Sequence, residues 1–262
     1  MFRGLVKRLL GLLPDSFIKL GLLALGYEFR NRASGSLGIH RAEIQYGPFK
    51  GGYARPSHWS GKQYWPVQVS GTYERKIVEF IAGLGYIDYA VDLGAAEGFY
   101  ALNLKSLGLA NRVVAFESNA EARQSLVEAA NGLGGTEFTI ETHADEISVL
   151  KRILASTGQK KLLISDIEGD EYALFTENLI RNLAGWHLVI ELHDPAGEHD
   201  EVLVNRLLKT HHVNIVDGSE VSLSQISKVF PSLSQLELFN LAHEGRNWMQ
   251  KWIIASPISV QL

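Results

Sequence analysis

Asp166 and Glu168 stand two residues apart at the end of one apolar run, and Glu191 and His193 stand two apart at the end of the next. Residues at that spacing on a strand point to the same face. Carboxylates beside an imidazole can draw a proton from a weak nucleophile such as a hydroxyl. His193 is the first choice for the general base, with Glu191 or Asp166 orienting its ring. Asp166 also suits the floor of a ligand pocket. Glu168, just before Gly169, could instead bond backbone amides in a tight turn. Asp166, Glu191 and His193 could alternatively hold a hard divalent ion through oxygen and nitrogen. No dense Asp/Asn ligand set accompanies them, so a metal is not favoured.

A second constellation lies upstream, where an apolar run ends Val91-Asp92-Leu93-Gly94-Ala95-Ala96-Glu97-Gly98. Gly94 allows a tight turn out of a strand, and Gly98 lets a following helix approach closely. Amides at such a helix start favour an anionic group. A dinucleotide fingerprint has a second glycine where Ala96 stands, so a pyrophosphate is disfavoured. Asp92, Gly94, Ala95 and Gly98 suit a ligand carrying an amino acid. Glu117 ends the next apolar run, where an acidic group can accept both ribose hydroxyls. Together the carboxylates outline a pocket for adenosine joined to an amino acid, which is S-adenosylmethionine (SAM). Ala144 and Asp145 follow a third run, and Asp145 is also a plausible helix cap. Tyr100 either closes over the ligand or packs in the core.

These residues need strands that end together. Apolar runs at Tyr89–Leu93, Arg112–Glu117, Thr136–Thr142, Lys161–Asp166, His187–Leu192 and Val213–Val216 read as strands, with Lys251–Ala255 closing the series. Helical patterns separate them: Thr72 capping a helix through Leu84, Gly98–Leu107, Asn119 capping a helix to Asn131, and Asp145 capping one to Thr157. Asp170–Leu183, Glu198–His211, Ser222–Val229 and Leu233–Ala242 follow. Nearly all-apolar strands alternating with amphipathic helices call for a parallel sheet covered on both faces. Ligands in such sheets bind at the carboxyl ends of the strands, near the point where strand order reverses. His211-His212 falls at a helix end on the far side, as core or surface. Arg246, Trp248 and Trp252 either border the substrate mouth or pack.

Two motifs resemble a known family. The Asp92–Gly98 turn and Glu117 look like those of class I SAM-dependent methyltransferases. The run Asp166-Ile167-Glu168-Gly169-Asp170-Glu171 resembles the D-[IV]-E-G-x-E signature of the FkbM family, and Glu191-Leu192-His193 its E-x-H. The resemblance spans about residues 72–256, with Ser165 where the family commonly has lysine, and Ser118-Asn119-Ala120 where it usually has prolines. It implies a doubly wound, mostly parallel seven-stranded Rossmann-like sheet. It also implies adenine contacts after the third strand, near Ala144 and Asp145. With its fourth and fifth strands as neighbours, Asp166, Glu168, Glu191 and His193 converge near the cofactor's methyl group. The implied reaction is O-methylation of a hydroxyl on a small metabolite or glycan. The alternatives are N- or C-methylation on the same scaffold and a non-catalytic SAM-binding scaffold protein. Ala96 counts against a nicotinamide dehydrogenase.

Composition sets the frame. The 262 residues are 46% hydrophobic and 21% charged, which excludes a disordered chain. The absence of cysteine excludes disulfides, zinc fingers and thiol nucleophiles, and agrees with a cytoplasmic address. A net charge of −4 argues against a nucleic-acid partner. It divides into +5 over residues 1–50, from eight basic and three acidic side chains, and −9 over the remainder. Met1–Leu13 reads as a basic amphipathic helix, and Phe17–Tyr27 is apolar around Lys19. Neither is long enough to span a membrane. A helix docked on the body, peripheral membrane contact through residues 1–27, and a partner-protein contact all remain open. Residues 1–71 are taken as an N-terminal extension and 72–262 as the methyltransferase domain. The aromatic, glycine-rich stretch from Tyr46 through Trp59, Tyr64 and Trp65 could form a lid, a stacking surface for a sugar, or a satellite core.

Overall fold

The computed structural model describes residues 42–54, 65–132, 137–194, 196–218, 221–231, 234 and 250–258. Residues 1–41, Trp59, Tyr64, most of Leu233–Ala242, Arg246 and Trp248 lie outside that set. A short hairpin, β1 (Ala42–Glu43) and β2 (Tyr53–Ala54), precedes helix α1 (Trp65–Val69) and α2 (Arg75–Gly83). Strand and helix then alternate. In order they are β3 (Ile87–Leu93), α3 (Phe99–Ser106), β4 (Ala110–Phe116), α4 (Ala120–Asn131), β5 (Glu137–Glu141), α5 (Glu146–Leu154) and β6 (Lys161–Ser165). The short helices α6 (Glu171–Leu174) and α7 (Glu177–Asn182) lead to β7 (His187–Leu192) and α8 (Glu198–Leu207). β8 (His211–Asp217), α9 (Leu223–Val229) and β9 (Lys251–Pro257) complete the described elements.

β3–β9 form one seven-stranded sheet in the order β5-β4-β3-β6-β7-β9-β8. Every pairing is parallel except those of β9, which runs antiparallel to β7 and β8. This is the doubly wound, Rossmann-like architecture expected from the sequence. The chain builds outward from β3 to β5, then returns to place β6 on the other side of β3. Strand order therefore reverses between β3 and β6.

The pleat sorts side chains into two layers. Ala90 joins a core with Ile77 and Ile81 of α2, Leu104 of α3 and Leu126 of α4. Tyr89, Val91 and Leu93 face the opposite layer, with Val149 of α5, Leu179 of α7 and Leu203 of α8. Each fully buried Leu, Ile or Val contributes about 1.5–3 kcal/mol. Ile44, Phe49, Ala54 and Trp65 belong to the first layer. The described part of the extension thus shares the core of the body rather than standing apart.

Three expected boundaries differ. Thr72 does not cap α2; its buried hydroxyl lies 2.9 Å from Ser70 Oγ. Glu74 takes the cap position in a left-handed conformation (φ 42°) and makes no side-chain cap bond, because its carboxylate turns inward. The helix expected over Asp170–Leu183 breaks at Phe175 (ψ 64°), and Thr176 Oγ1 caps a new helix by accepting from Leu179 N–H (3.1 Å). Apolar periodicity runs through such a break without registering it. The helix expected to reach His211 stops at Leu207, and His211 opens β8, buried with Nε2 3.1 Å from Trp186 O.

Candidate functional site

A cavity of about 820 Å³ opens where the carboxyl ends of β3, β4, β5 and β6 meet. The β3–α3 turn forms one wall. Gly94 (φ 77°) passes so close to β6 that a Cβ there would lie 1.7 Å from the Asp166 carbonyl oxygen. Gly98 (φ 88°) is the N-cap of α3, and a Cβ would lie 2.4 Å from Leu126 Cδ1. Both positions therefore require glycine, as read from the sequence. Ala96 is left-handed without being glycine (φ 46°). Its N–H donates to Glu117 Oε2 (2.7 Å), while Glu117 Oε1 accepts from Asn119 N–H (2.6 Å). A carboxylate oxygen has two lone pairs, so each retains one for a ligand hydroxyl.

Asp92 is 2% exposed and lines the cavity floor, its Oδ2 accepting from Ala101 N–H (3.1 Å). Burial pushes its carboxyl up to about 7, and the Asp166, Glu117 and Glu74 carboxylates add to the effect. Ala95, Ala144 and Asp145 also line the cavity. Asp145 caps α5 as well, accepting from Ser148 N–H (2.9 Å) and Ser148 Oγ (2.8 Å). Its two proposed duties are compatible.

The constellation of Asp166, Glu168, Glu191 and His193 converges as expected, since β6 and β7 are neighbours. His193 Nε2 lies 3.4 Å from Asp166 Oδ1, 3.8 Å from Glu168 Oε2 and 3.9 Å from Glu191 Oε2. Asp166 and Glu168 line the cavity, and His193 stands behind them. Burial pushes the Asp166 carboxyl up to about 7, Glu74 adds to it, and His193 opposes it. Burial alone would lower His193, yet its imidazole sits above the ordinary value because Glu171, Asp166 and Glu168 outweigh that effect.

The turn after β6 is held differently from expectation. Glu168 does not bond its amides; its side chain is 85% exposed and its backbone is left-handed (φ 56°). Fully buried Glu171 does so instead, accepting from Ile167 N–H (2.7 Å) and Gly169 N–H (2.9 Å). Glu171 Oε1 also lies 3.3 Å from His193 Nδ1. Tyr172 fixes the backbone beside it, its hydroxyl accepting from His193 N–H (2.8 Å) and donating to Asp200 Oδ1 (2.6 Å). Glu171 was visible as the last letter of the signature, but its position gave no role.

Behind the cavity floor a buried polar chain joins distant segments. Tyr100 donates its hydroxyl to Glu74 Oε2. Gln250 Nε2 donates to Glu74 Oε1 (3.3 Å) and to Glu191 Oε1 (2.9 Å). No local pattern marks Glu74 or Gln250, which lie 176 residues apart. Trp252 is fully buried core rather than a border of the mouth.

Among the described residues, Asp166, Glu171 and His193 bring ligand atoms within 4.8 Å of one another. The lone pairs of Glu171 already face two amides and the imidazole, and Glu191 Oε1 is bonded to Gln250. A divalent ion would have to displace these contacts, whereas a proton completes them.

The other end of the cavity is aromatic, with Tyr53, Trp65, Tyr73 and Phe99 in its walls. Tyr73 and Phe99 meet edge to face at 4.9 Å. Asn103 of α3 ties the hairpin to this wall, accepting from Tyr53 N–H (2.7 Å) and donating to Tyr53 O (2.9 Å). The aromatic stretch is thus both core, through Phe49 and Trp65, and cavity wall.

No family model and no curated protein matches the chain. Several solved structures resemble it. An rRNA methylase from Streptococcus thermophilus is 13% identical, with 74% of this chain and 97% of that chain covered at a TM-score of 0.43. The N-methyltransferase NodS from Bradyrhizobium japonicum, in complex with S-adenosyl-L-homocysteine, is 12% identical over 71% and 86% at 0.43. A precorrin-8w decarboxylase from Methanobacterium thermoautotrophicum is 16% identical over 70% and 88% at 0.44. Likeness at this level says nothing of substrate, so the chemistry must come from the site. Among the described residues no helix is long and apolar enough to cross a membrane.

Proposed function

We propose that the protein transfers a methyl group from SAM to a hydroxyl of a small molecule, a saccharide or natural-product-like metabolite. The observation that carries this reading is the charge of the cavity. Eight of its described lining residues are Asp or Glu, and none is Lys or Arg. Asp92 and Glu117 are buried among them, and holding desolvated carboxylates in a cavity with no basic side chain is costly unless a cation joins them. A sulfonium bearing an α-ammonium group is such a cation, and a phosphate-rich ligand is not.

The residues present fit that cofactor. Asp166 Oδ1 is buried without a hydrogen-bond partner. Asp92 and Asp166 would face the cationic end, and the Ala95–Gly98 turn the carboxylate. Glu117 would take the ribose hydroxyls, with Ala144 and Asp145 beside the base. Bound there, SAM supplies an electrophilic methyl group.

The chain's own work is positioning and proton handling. Asp166 lines the cavity and borders His193, so a proton leaving the acceptor hydroxyl passes to this pair. Glu171 holds the imidazole from its other nitrogen. Glu168 and Glu191 keep the surroundings negative, which favours an imidazolium as it forms. The aromatic wall would take a ring or apolar body of the acceptor.

The acidic lining also argues against nucleic-acid acceptors. Calorimetry with SAM and S-adenosylhomocysteine tests the cofactor, and a screen of hydroxyl acceptors with methyl-labelled SAM tests the reaction. Binding of NADH in place of SAM would overturn the proposal.

A further inference from the structure

We propose that Gln250 is a positioning residue for the proton-accepting pair, holding Glu191 so that its Oε2 faces the His193 imidazole. The inference rests on the reading of Asp166 and His193 given above, and it concerns a residue that touches neither.

Gln250 is 2% exposed, immediately before β9. It spends its side-chain nitrogen on two buried carboxylates from different parts of the fold: Glu74 at the start of α2 and Glu191 in β7. A primary amide nitrogen carries two hydrogens, so each carboxylate receives one. Each N–H favours the charged form of the carboxylate that accepts it, and Glu191 also meets the Asp166 carboxyl. Tyr100 completes the arrangement by donating to the far oxygen of Glu74. Glu191 is thereby fixed through Oε1, leaving Oε2 at 3.9 Å from His193 Nε2.

Without this amide, Glu74 and Glu191 lose a shared donor in a buried setting. The cheapest remedy is for one carboxylate to bind a proton. A protonated Glu191 no longer favours the imidazolium, and the pair accepts a proton less readily. His193 faces Asp166 from the end of β6, Glu168 and Glu171 from the following turn, and Glu191 from β7. Its backbone N–H is held by Tyr172. Three carboxylates remain when Glu191 is neutralised, so the effect is a shift rather than a collapse.

The test is titration of the His193 ring by NMR in histidine-labelled protein, assigned with a His193→Gln variant. Spectral dispersion serves as the check on folding. Gln250→Met, which keeps the length and removes both donors, should lower the His193 pKa by about one unit. Glu191→Gln should lower it similarly. Adding Gln250→Met to Glu191→Gln should change it no further, since the route through Glu191 is already gone. If Gln250→Met does not fold, the shorter amide of Gln250→Asn cannot span both carboxylates and carries the same expectation. An unchanged or raised pKa in a folded Gln250 variant overturns the proposal, as does full additivity in the double variant. The expected shift in a protein that transfers no methyl group would overturn the proposed function while leaving the role of Gln250 intact.

Discussion

His193 Nε2 and Asp166 Oδ1 stand 3.4 Å apart, with Asp166 on the cavity side and His193 behind it. The Asp166 carboxyl is pushed up to about 7 by burial, so the pair holds a proton close to neutral pH. A group tuned to working pH makes an efficient base, and its loss costs about 100-fold or more in rate. His193→Ala should therefore cut turnover by that order while SAM affinity stays within about twofold. Both are read from initial rates with labelled SAM and from calorimetry. Undiminished turnover would remove His193 from proton transfer.

Glu117 ties the cofactor turn together from β4. Its two oxygens accept from Ala96 and Asn119 amides and keep lone pairs for two hydroxyls. Each such bond is worth about 0.5–1.5 kcal/mol, so Glu117→Ala should weaken SAM binding by roughly 10–100-fold. Glu117→Gln keeps an acceptor oxygen and should lose less. Equal affinity in all three proteins would place the ribose elsewhere.

What was readable in the sequence followed from local repetition. Apolar runs gave the strands of the sheet, and the two glycines gave the turn, because each glycine meets a local steric demand. The pairing of Asp166 with His193 was readable because two strand ends carry their groups to one edge. Glu74 and Gln250 were not, since 176 residues separate them and only the closed fold brings them together. The break at Phe175 was hidden for another reason: apolar spacing continued through it, and only the Thr176 cap marks the new start. Glu171 rather than Glu168 holds the turn, and this was not readable because a turn obeys no two-residue alternation. The left-handed backbone at Glu168 throws its side chain outward and leaves the amides to Glu171.

Asp92 makes a prediction about pH. Its folded value of about 7, set by burial and then by neighbouring carboxylates, lies above the ordinary 3.8 of the unfolded chain. Between those values the folded state holds a proton that the unfolded state releases. Stability from this group is therefore complete below the lower value and lost as pH rises through the upper one. Asp166 and His193, both raised, act with the same sign. Asp145 and Asp194 are lowered by backbone N–H donors, and their contribution is lost only at acidic pH. His187 and His211, lowered by burial, act with the opposite sign as pH falls below about 6.5. The effect of Asp92 and Asp166 is therefore read above that value: the cofactor-free protein should melt higher at pH 6.5 than at pH 8. Asp92→Asn should flatten that slope, gaining up to about 4 kcal/mol at pH 8 at roughly 1.4 kcal/mol per unit. A melting temperature that rises with pH across this window would contradict the assignment.

Asn103 offers a separate test of how the aromatic wall is held. One side-chain amide satisfies both backbone groups of Tyr53, and its nitrogen also donates to Phe99 O (2.7 Å). Gly52 packs so closely that a Cβ would lie 2.1 Å from Asn103 Oδ1. The hairpin is thereby locked to the helix that opens at the cofactor turn. Asn103→Leu keeps the volume but removes the hydrogen bonds from Asn103 to the Tyr53 N–H and C=O, at a cost of about 1–3 kcal/mol. Amide exchange should rise across residues 42–54 and stay unchanged in β3 and β6. SAM affinity should hold, because Asp92, Glu117 and the Gly94–Gly98 turn are untouched, while KM for the acceptor should rise. Protection of Tyr53 as strong as in the parent protein would show that the aromatic wall is held by packing alone.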